Sequence, residues 1–298
     1  MTADQGTPRT DGRFHISSRL AGESLVDKEV IADARSDRSV IRMFPNLNVL
    51  KIGGQSIIDR GRGAVQPIVD EIIELVDKDY QLLIGAGGGT RSRHVYDIGL
   101  RLGLPTGLLA VLGGAPSEQN ATMLQALLAQ RGGVRIPKDH FEEIPLYLAA
   151  DCIPIVTGMP PYHYWERPPL SGNLPEHRTD VGVYMIAEVF GTRSMIFVKD
   201  EDGLFRADPK KDRSAEFVPE ISVSELRQHD LDDLIIERAC VDMIGRARHA
   251  KVVQVINGLV PGRMTAALKG EHVGTIIYQD GVDWRQELIK EPSPSISA

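Results

Sequence analysis

The sequence predicts an α/β protein: a parallel sheet covered by helices on both faces. Three observations carry this. Apolar runs end in glycines at 48–54 (NVLKIGG) and 81–89 (QLLIGAGGG), each is followed by apolar residues at helical spacing, and the strand-then-helix alternation recurs to about residue 278. Consecutive strands lie parallel only if a crossover returns the chain to the same edge, and the helices are those crossovers.

Taken in order, NVLKIGG is the first strand. Val65, Ile68, Val69, Ile72, Leu75 and Val76 then mark a helix, with Pro67 tolerable in its first turn. QLLIGAGGG is the second strand, followed by a helix carrying Val95, Ile98 and Leu102 on its apolar face. A helix over 117–130, a strand over 152–158 (CIPIVTG), an irregular stretch, a helix over 181–190 and a strand over 194–200 (SMIFVKD) continue the pattern. DPKKDRSAEF is a charged connection, and Ser222 with Glu225 forms a capping box that opens a short helix. A helix over 233–248, a strand over 252–257, a helix over 262–268 and a strand over 274–278 complete the domain. Residues 1–40 read as a flexible or partner-wrapping arm and 279–298 as a loose tail. Residues 41–278 form one domain, divided near residue 180 into an N-terminal and a C-terminal lobe.

Composition narrows the function. A net charge of −7 has the wrong sign for a general nucleic-acid binder, so an anionic ligand has to be held by local geometry. Neither a signal-peptide core nor a membrane-length apolar run is present, so a cytoplasmic protein is expected. Cys152 and Cys240 both sit in apolar runs and read as buried free thiols of a reducing compartment.

Glycines at the carboxyl end of a parallel strand let backbone N–H groups approach an anion, and the next helix adds its positive end. Two such loops occur, Lys51-Ile-Gly53-Gly54-Gln55 and Gly85-Ala-Gly87-Gly88-Gly89, the second followed by Thr90, Arg91 and Arg93 as candidates for an oxyanion pocket. Each alone could be a tight turn; together they suggest two phosphate-like groups brought side by side. Neither loop completes GxxxxGK[ST] or GxGxxG, which disfavours a P-loop or a dinucleotide fold. A third segment, FVKDEDGLFRADPKK, carries Lys199, Asp200, Gly203, Phe205, Asp208 and Pro209, enough to set an aromatic on a base and a cation near phosphates, although it also reads as a solvated charged loop. The irregular stretch at 160–180, PPYHYWERPPLSGNLPEHRTD, holds five prolines with Tyr162, His163, Tyr164, Trp165, Glu166, His177 and Arg178, and cannot be helix or central strand. A long loop of this kind is functional or disordered, and its aromatics argue for function.

Taken together, K-I-G-G at 51–54, G-A-G-G-G at 85–89, T-D at 179–180, V-K-D-E-D-G-L-F-R-A-D-P at 198–209 and V-I-N-G-L-V-P-G-R-M-T-A-A-L-K-G-E-H-V-G-T-I-I at 255–277 resemble the amino-acid kinase superfamily, uridylate kinases included, over about residues 46–278. The resemblance implies a three-layer αβα sandwich around a mainly parallel sheet. It implies ATP with its phosphates at the glycine loops, Lys51, Gly53 and Gly54 on the terminal phosphates and Lys199 as a second cation. Asp180 would orient a lysine or Mg²⁺, and residues 199–209 would hold adenine and ribose.

K-I-G-G-Q-S-I-I-D-R-G-R, P-P-Y-H-Y-W, R-T-D-V-G and F-V-K-D-E-D-G-L further resemble the molybdenum-storage branch of that superfamily, its beta-type chains above all. That resemblance implies ATP-dependent packing of molybdate or tungstate as polyoxometalate clusters in a closed hexamer, a trimer of dimers formed with an alpha-like chain or with itself. Imidazole ligates molybdenum and, charged, neutralises cluster oxygens, so His163 and His177, with Tyr164, Glu166 and Arg178, are the candidate cluster contacts. His140, Gln119 and Asn120 are further candidates. Two other readings share the fold: a working kinase of uridylate or another small metabolite, and a kinase-derived regulatory protein, against which Lys51, Asp180 and Lys199 argue.

Overall fold

The computed structural model describes residues 41–159, 166, 169, 172–231 and 233–289. The segment 1–40 and the loop residues His163 and Tyr164, with Tyr162 and Trp165, lie outside the described residues.

In chain order the elements are β1 (Asn48–Ile52), a 3-10 turn (Ile58–Arg60), α1 (Arg62–Val76), β2 (Leu82–Ala86), α2 (Gly89–Arg101), α3 (Thr106–Leu128), β3 (Gly133–Ile136), α4 (Ile144–Ala149), β4 (Ile153–Val156), α5 (Thr179–Phe190) and β5 (Ser194–Lys199). They continue with β6 (Leu204–Phe205), β7 (Phe217–Val218), β8 (Glu220–Ser222), α6 (Val223–His229), α7 (Arg238–Ile244), β9 (Val252–Asn257), α8 (Arg263–Leu268), β10 (Thr275–Tyr278) and α9 (Trp284–Leu288). Eight strands form one sheet in the order β3-β4-β2-β1-β5-β9-β10-β8, and β6 pairs with β7 in a separate hairpin. Neighbours are parallel from β3 to β9; β10 runs antiparallel to β9 and parallel to β8.

Strand alternation sorts the core into two layers. Val49, Leu83, Met195, Phe197, Val253 and Val255 face one side, where α5, α6 and α7 cover them. Leu50, Ile52, Leu82, Ile84, Ile196, Val198 and Ile256 face the other, under α1, α3 and α8. Every central strand is apolar on both faces, as a sheet buried on two sides requires, and the layers make the αβα sandwich. Side chains at odd positions of β1 and β5 project toward α5, which places Lys51 and Lys199 on one face of the sheet.

Several expectations need correction. The helix expected over 117–130 begins at Thr106 and runs through Pro116, because close packing on α2 overrides the glycine–proline signal: a Cβ on Gly113 would enter the Tyr96 ring. On α2 the buried stripe is Ser92, Tyr96 and Gly99, whereas Ile98 and Leu102 are exposed. The helix expected over 233–248 is confined to Arg238–Ile244, because residue 237 serves as its N-cap in extended conformation. Strands β3, β6, β7 and β8 are too short to carry a period of their own. Cys240 is buried, but Cys152 is only half-buried. The segment expected to be loose from 279 instead starts with a helix whose Trp284 is buried and edge-packed on His272. The Ser222–Glu225 capping box is present at α6. No described helix is long and apolar enough to cross a membrane.

Candidate functional site

Asp180, the second residue of α5, faces the two lysines that strand alternation aims at it. Lys51 Nζ is in ion-pair contact with Asp180 Oδ1, and Lys199 Nζ donates to Oδ2 at 3.1 Å. The three side chains are 5%, 13% and 5% exposed for Lys51, Lys199 and Asp180, so each charge depends on the others. Burial alone pushes the Asp180 carboxyl up, but Lys199 and Lys51 outweigh it and hold the group well below the usual carboxylate range. Burial presses Lys199 below the ordinary lysine value, and Asp180 opposes only part of that.

Glu237 closes the other side of Asp180. Its carboxylate accepts the N–H groups of Arg178 at 3.0 Å, Asp180 at 3.2 Å and Val181 at 3.1 Å, capping the first turn of α5 from outside the helix. Arg178 Nε lies 3.6 Å from the same group. Burial, and then the Asp180 charge, raise the Glu237 carboxyl above its ordinary value.

These residues form the floor of a cavity of about 1030 Å³, at the top of the range for a pocket that takes one small-molecule ligand. Its walls include Gly53, Gly54, Gln55, Gly87, Gly88, Gly89, Arg93, Arg178, Asp200, Gly203, Phe205, Asp208 and Pro209. The sequence-predicted phosphate and base residues are thus brought together. After β1, Ile57 N and Ile58 N both donate to Gly53 O, opening a helical turn. Among the described residues the amides of Gly54, Gln55 and Gly88 donate to no protein acceptor, which is what an anion cradle needs.

The two glycine loops touch. A Cβ on Gly54 would lie 2.7 Å from Gly89 Cα, backbone that cannot swing aside. Gly54→Ala is expected to cost about 1–3 kcal/mol by overpacking and to spread the cradle, so that urea unfolding and anion binding weaken together; full anion binding in a folded variant would refute the cradle.

The expected pocket of Thr90, Arg91 and Arg93 does not assemble. Thr90 N donates to Asp59 Oδ2 at 2.6 Å, and Arg91 turns to Gln119 Oε1 at 2.5 Å and to Asn120 Oδ1. Asn120 Nδ2 in turn donates to Gly87 O at 2.5 Å. Asn120 therefore braces the second glycine loop while Gln119 holds Arg91, and only Arg93 of the three faces the cavity. His140 is exposed and pairs with Glu143 at 2.7 Å, away from the site. His177 Nδ1 lies 2.8 Å from Oε1 of the buried Glu166; neither lines the cavity, whereas Arg178 beside them does.

On the opposite wall Asp200 receives Arg60 at 2.5 Å and Lys210 at 3.0 Å. Burial raises its carboxyl, but hydrogen bonds from Arg60 and Lys210 outweigh this and leave it below its ordinary value. Phe205 stands against Phe217 with ring centroids 5.4 Å apart, a tilted aromatic edge for a flat ring. Among the described residues no group of three His, Cys, Asp or Glu could cage a metal. A cation accompanying bound phosphates would find carboxylate oxygens on the cavity wall at Asp200, Glu201 and Asp208.

Sequence reasoning missed Glu237, Asp59, Arg60, Lys210 and Tyr96. Glu237 gives no local signal, since its partner helix starts 58 positions earlier in the chain. Asp59 and Arg60 stand directly after the first glycine loop, where their charge was a readable sign. Tyr96 sits at the packed contact of α2 and α3, and burial pushes its hydroxyl up to about 12.

Known proteins fit this architecture. The model of the amino acid kinase family matches residues 46–257. Molybdenum storage protein subunit beta of Azotobacter vinelandii is 49% identical over 262 residues, 88% of this chain and 96% of that one. Uridylate kinase of Hyperthermus butylicus is 24% identical, covering 77% of this chain and 96% of that one. Among solved structures, UMP kinase from Bacillus anthracis superimposes with a TM-score of 0.63 at 20% identity, covering 80% of this chain and 98% of that one. The chain belongs to the amino acid kinase family and is a homologue, within it, of the molybdenum storage protein beta subunit.

Proposed function

We propose that this chain is a molybdenum-storage subunit that uses ATP to accumulate molybdate as polyoxometalate. The observation that carries the nucleotide half is the buried Lys51–Asp180–Lys199 group under the open amides of Gly54, Gln55 and Gly88. Three cations, Lys51, Lys199 and Arg178, face the two carboxylates Asp180 and Glu237, so the floor has one positive charge to offer a phosphate chain. Phosphoryl transfer needs mainly this kind of positioning and charge neutralisation. The two lysines would hold the terminal phosphate oxygens while its bond to the β-phosphate oxygen breaks and water supplies the new oxygen, giving ADP and inorganic phosphate. Mg²⁺ would supply further charge on the phosphates, with Asp200 freed from Lys210 to share it.

The storage half is supported by 49% identity to a protein named for it, against 24% for the uridylate kinase. Condensation of two molybdates takes up two protons and releases one water, so imidazoles beside a cluster suit the chemistry. His163 and His177, with Tyr164, Glu166 and Arg178, are assigned to that contact, and tungstate would enter by the same chemistry. The reading carries an assembly, a cytoplasmic hexamer built as a trimer of dimers with an alpha-like chain or a second copy.

The test is elemental analysis of the purified oligomer after incubation with molybdate and Mg·ATP, with a UMP phosphorylation assay on the same sample. Many molybdenum atoms per chain without UDP formation are expected. Background metal with rapid UDP formation would overturn storage in favour of the kinase.

A further inference from the structure

A kinase whose acceptor is itself phosphorylated must seat two phosphate-bearing partners, and the two glycine loops offer two places for them. The structure leaves one open. At the second, the N-terminal end of α2, the chain has placed its own anion: Asp59 Oδ2 accepts the Thr90 N–H at 2.6 Å. The carboxylate lies over the first turn so closely that a Cβ on Gly89 would fall 2.5 Å and 2.6 Å from its two oxygens. Gly89, at φ +74°, is thus required twice, by its backbone and by the carboxylate above it.

Asp59 is not a side chain passing by. It stands in the 3-10 turn after the first glycine loop, its own N–H bonded to Gly54 O at 2.9 Å. The next residue, Arg60, is tied to Ser56 O at 2.8 Å and to Asp200 at 2.5 Å across the cavity. The turn is held at both ends, which keeps the Asp59 backbone beside the start of α2 with its carboxylate in reach of the Thr90 N–H.

We propose that Asp59 is a specificity-determining residue: it fills the N-terminal end of α2, so that the cavity seats one nucleotide's phosphate chain and refuses a second phosphorylated substrate. A phosphate monoester arriving there meets a like charge and a helix terminus already engaged. Arg93, which lines the cavity with no ion pair or hydrogen bond among the described residues, then has no docked phosphate to serve and stays open to a smaller oxyanion. This inference rests on reading the cavity as a nucleotide site, and it gives a physical reason why a member of a kinase family would not phosphorylate UMP.

The experiment is equilibrium binding of UMP to the full-length oligomer, unmodified and as Asp59→Ala and Asp59→Asn. Asp59→Ala removes charge and plug; Asp59→Asn removes the charge, keeps the size, and serves if the alanine variant does not fold. Asp59→Ala is expected to bind UMP about tenfold more tightly than the unmodified protein, with Asp59→Asn between the two. Equal UMP affinity in the unmodified protein and both variants would overturn the proposal. Molybdenum loading of the unmodified protein, measured on the same preparation, separates the two claims. Loading without any gain in UMP affinity refutes only the role of Asp59, and a gain in UMP affinity without loading refutes only storage.

Discussion

Asp180→Asn is expected to lower the unfolding free energy by about 3–5 kcal/mol at neutral pH, the cost of breaking a buried ion pair from one side, and to regain much of it in alkali. The amide keeps the size of the carboxylate but leaves the ammonium groups of Lys51 and Lys199 facing each other with no charge between them. Lys199 is the group that titrates. Burial already presses it below the ordinary lysine value, and Asp180 is the largest influence opposing that. A base whose folded value lies below its unfolded one penalises the fold at every pH at which the unfolded chain is protonated. The penalty is complete below the folded value and fades as pH rises toward the unfolded value of about 10.4. The gap between variant and parent should therefore narrow between pH 7 and pH 9.5 in urea unfolding. In the parent, Asp180 itself acts at the other end of the scale. Its depressed carboxyl contributes stability that is present above about pH 4 and is lost only as pH falls toward the folded value. A loss under 1 kcal/mol, or an equal loss at both pH values, would show that the two lysines do not depend on Asp180.

Much of this site was legible in the sequence through the resemblance: the K-I-G-G, T-D and V-K-D motifs name Lys51, Asp180 and Lys199 together, although the helix expected over 181–190 opens at Thr179 and takes in Asp180. The register then does the rest: Lys51 stands beside Phe197 and Ile52 beside Val198, which sets Lys199 one step beyond and on the same face. What was not legible came from contacts between distant segments. The Glu237 carboxylate reaches the start of α5 from the start of α7, and no pattern within either stretch announces it. Thr90 and Arg91 show the converse error. As residue types after a glycine loop they suit an oxyanion pocket, yet one amide is taken by Asp59 and one guanidinium by Gln119 and Asn120. The apolar face of α2 failed for a related reason: small residues and Tyr96 allow close approach to α3, and that packing outweighs the greater hydrophobicity of Ile98 and Leu102.

Lys51→Met is expected to bring ATP-dependent molybdenum loading to background and to weaken ATP binding about 10- to 100-fold, the worth of one charge-assisted hydrogen bond to a buried anion. The variant should nonetheless fold. Methionine keeps the length of the side chain in its apolar sleeve, and Asp180 retains Lys199 at 3.1 Å, so no buried charge is left wholly unpaired. Its stability loss should accordingly be well short of that of Asp180→Asn, although the binding loss is large. That contrast is the point of the pair: Asp180 holds the two cations in place, and Lys51 is the proposed cation that meets the phosphate. Lys51 also sits beside the second glycine loop, where a Cβ added to Gly87 would fall 3.2 Å from its Nζ. Thermal unfolding, ATP titration and elemental analysis on one preparation measure all three quantities. Loading that survives in a folded Lys51→Met oligomer built from this chain alone would remove Lys51 from the phosphate site and leave it a structural partner of Asp180.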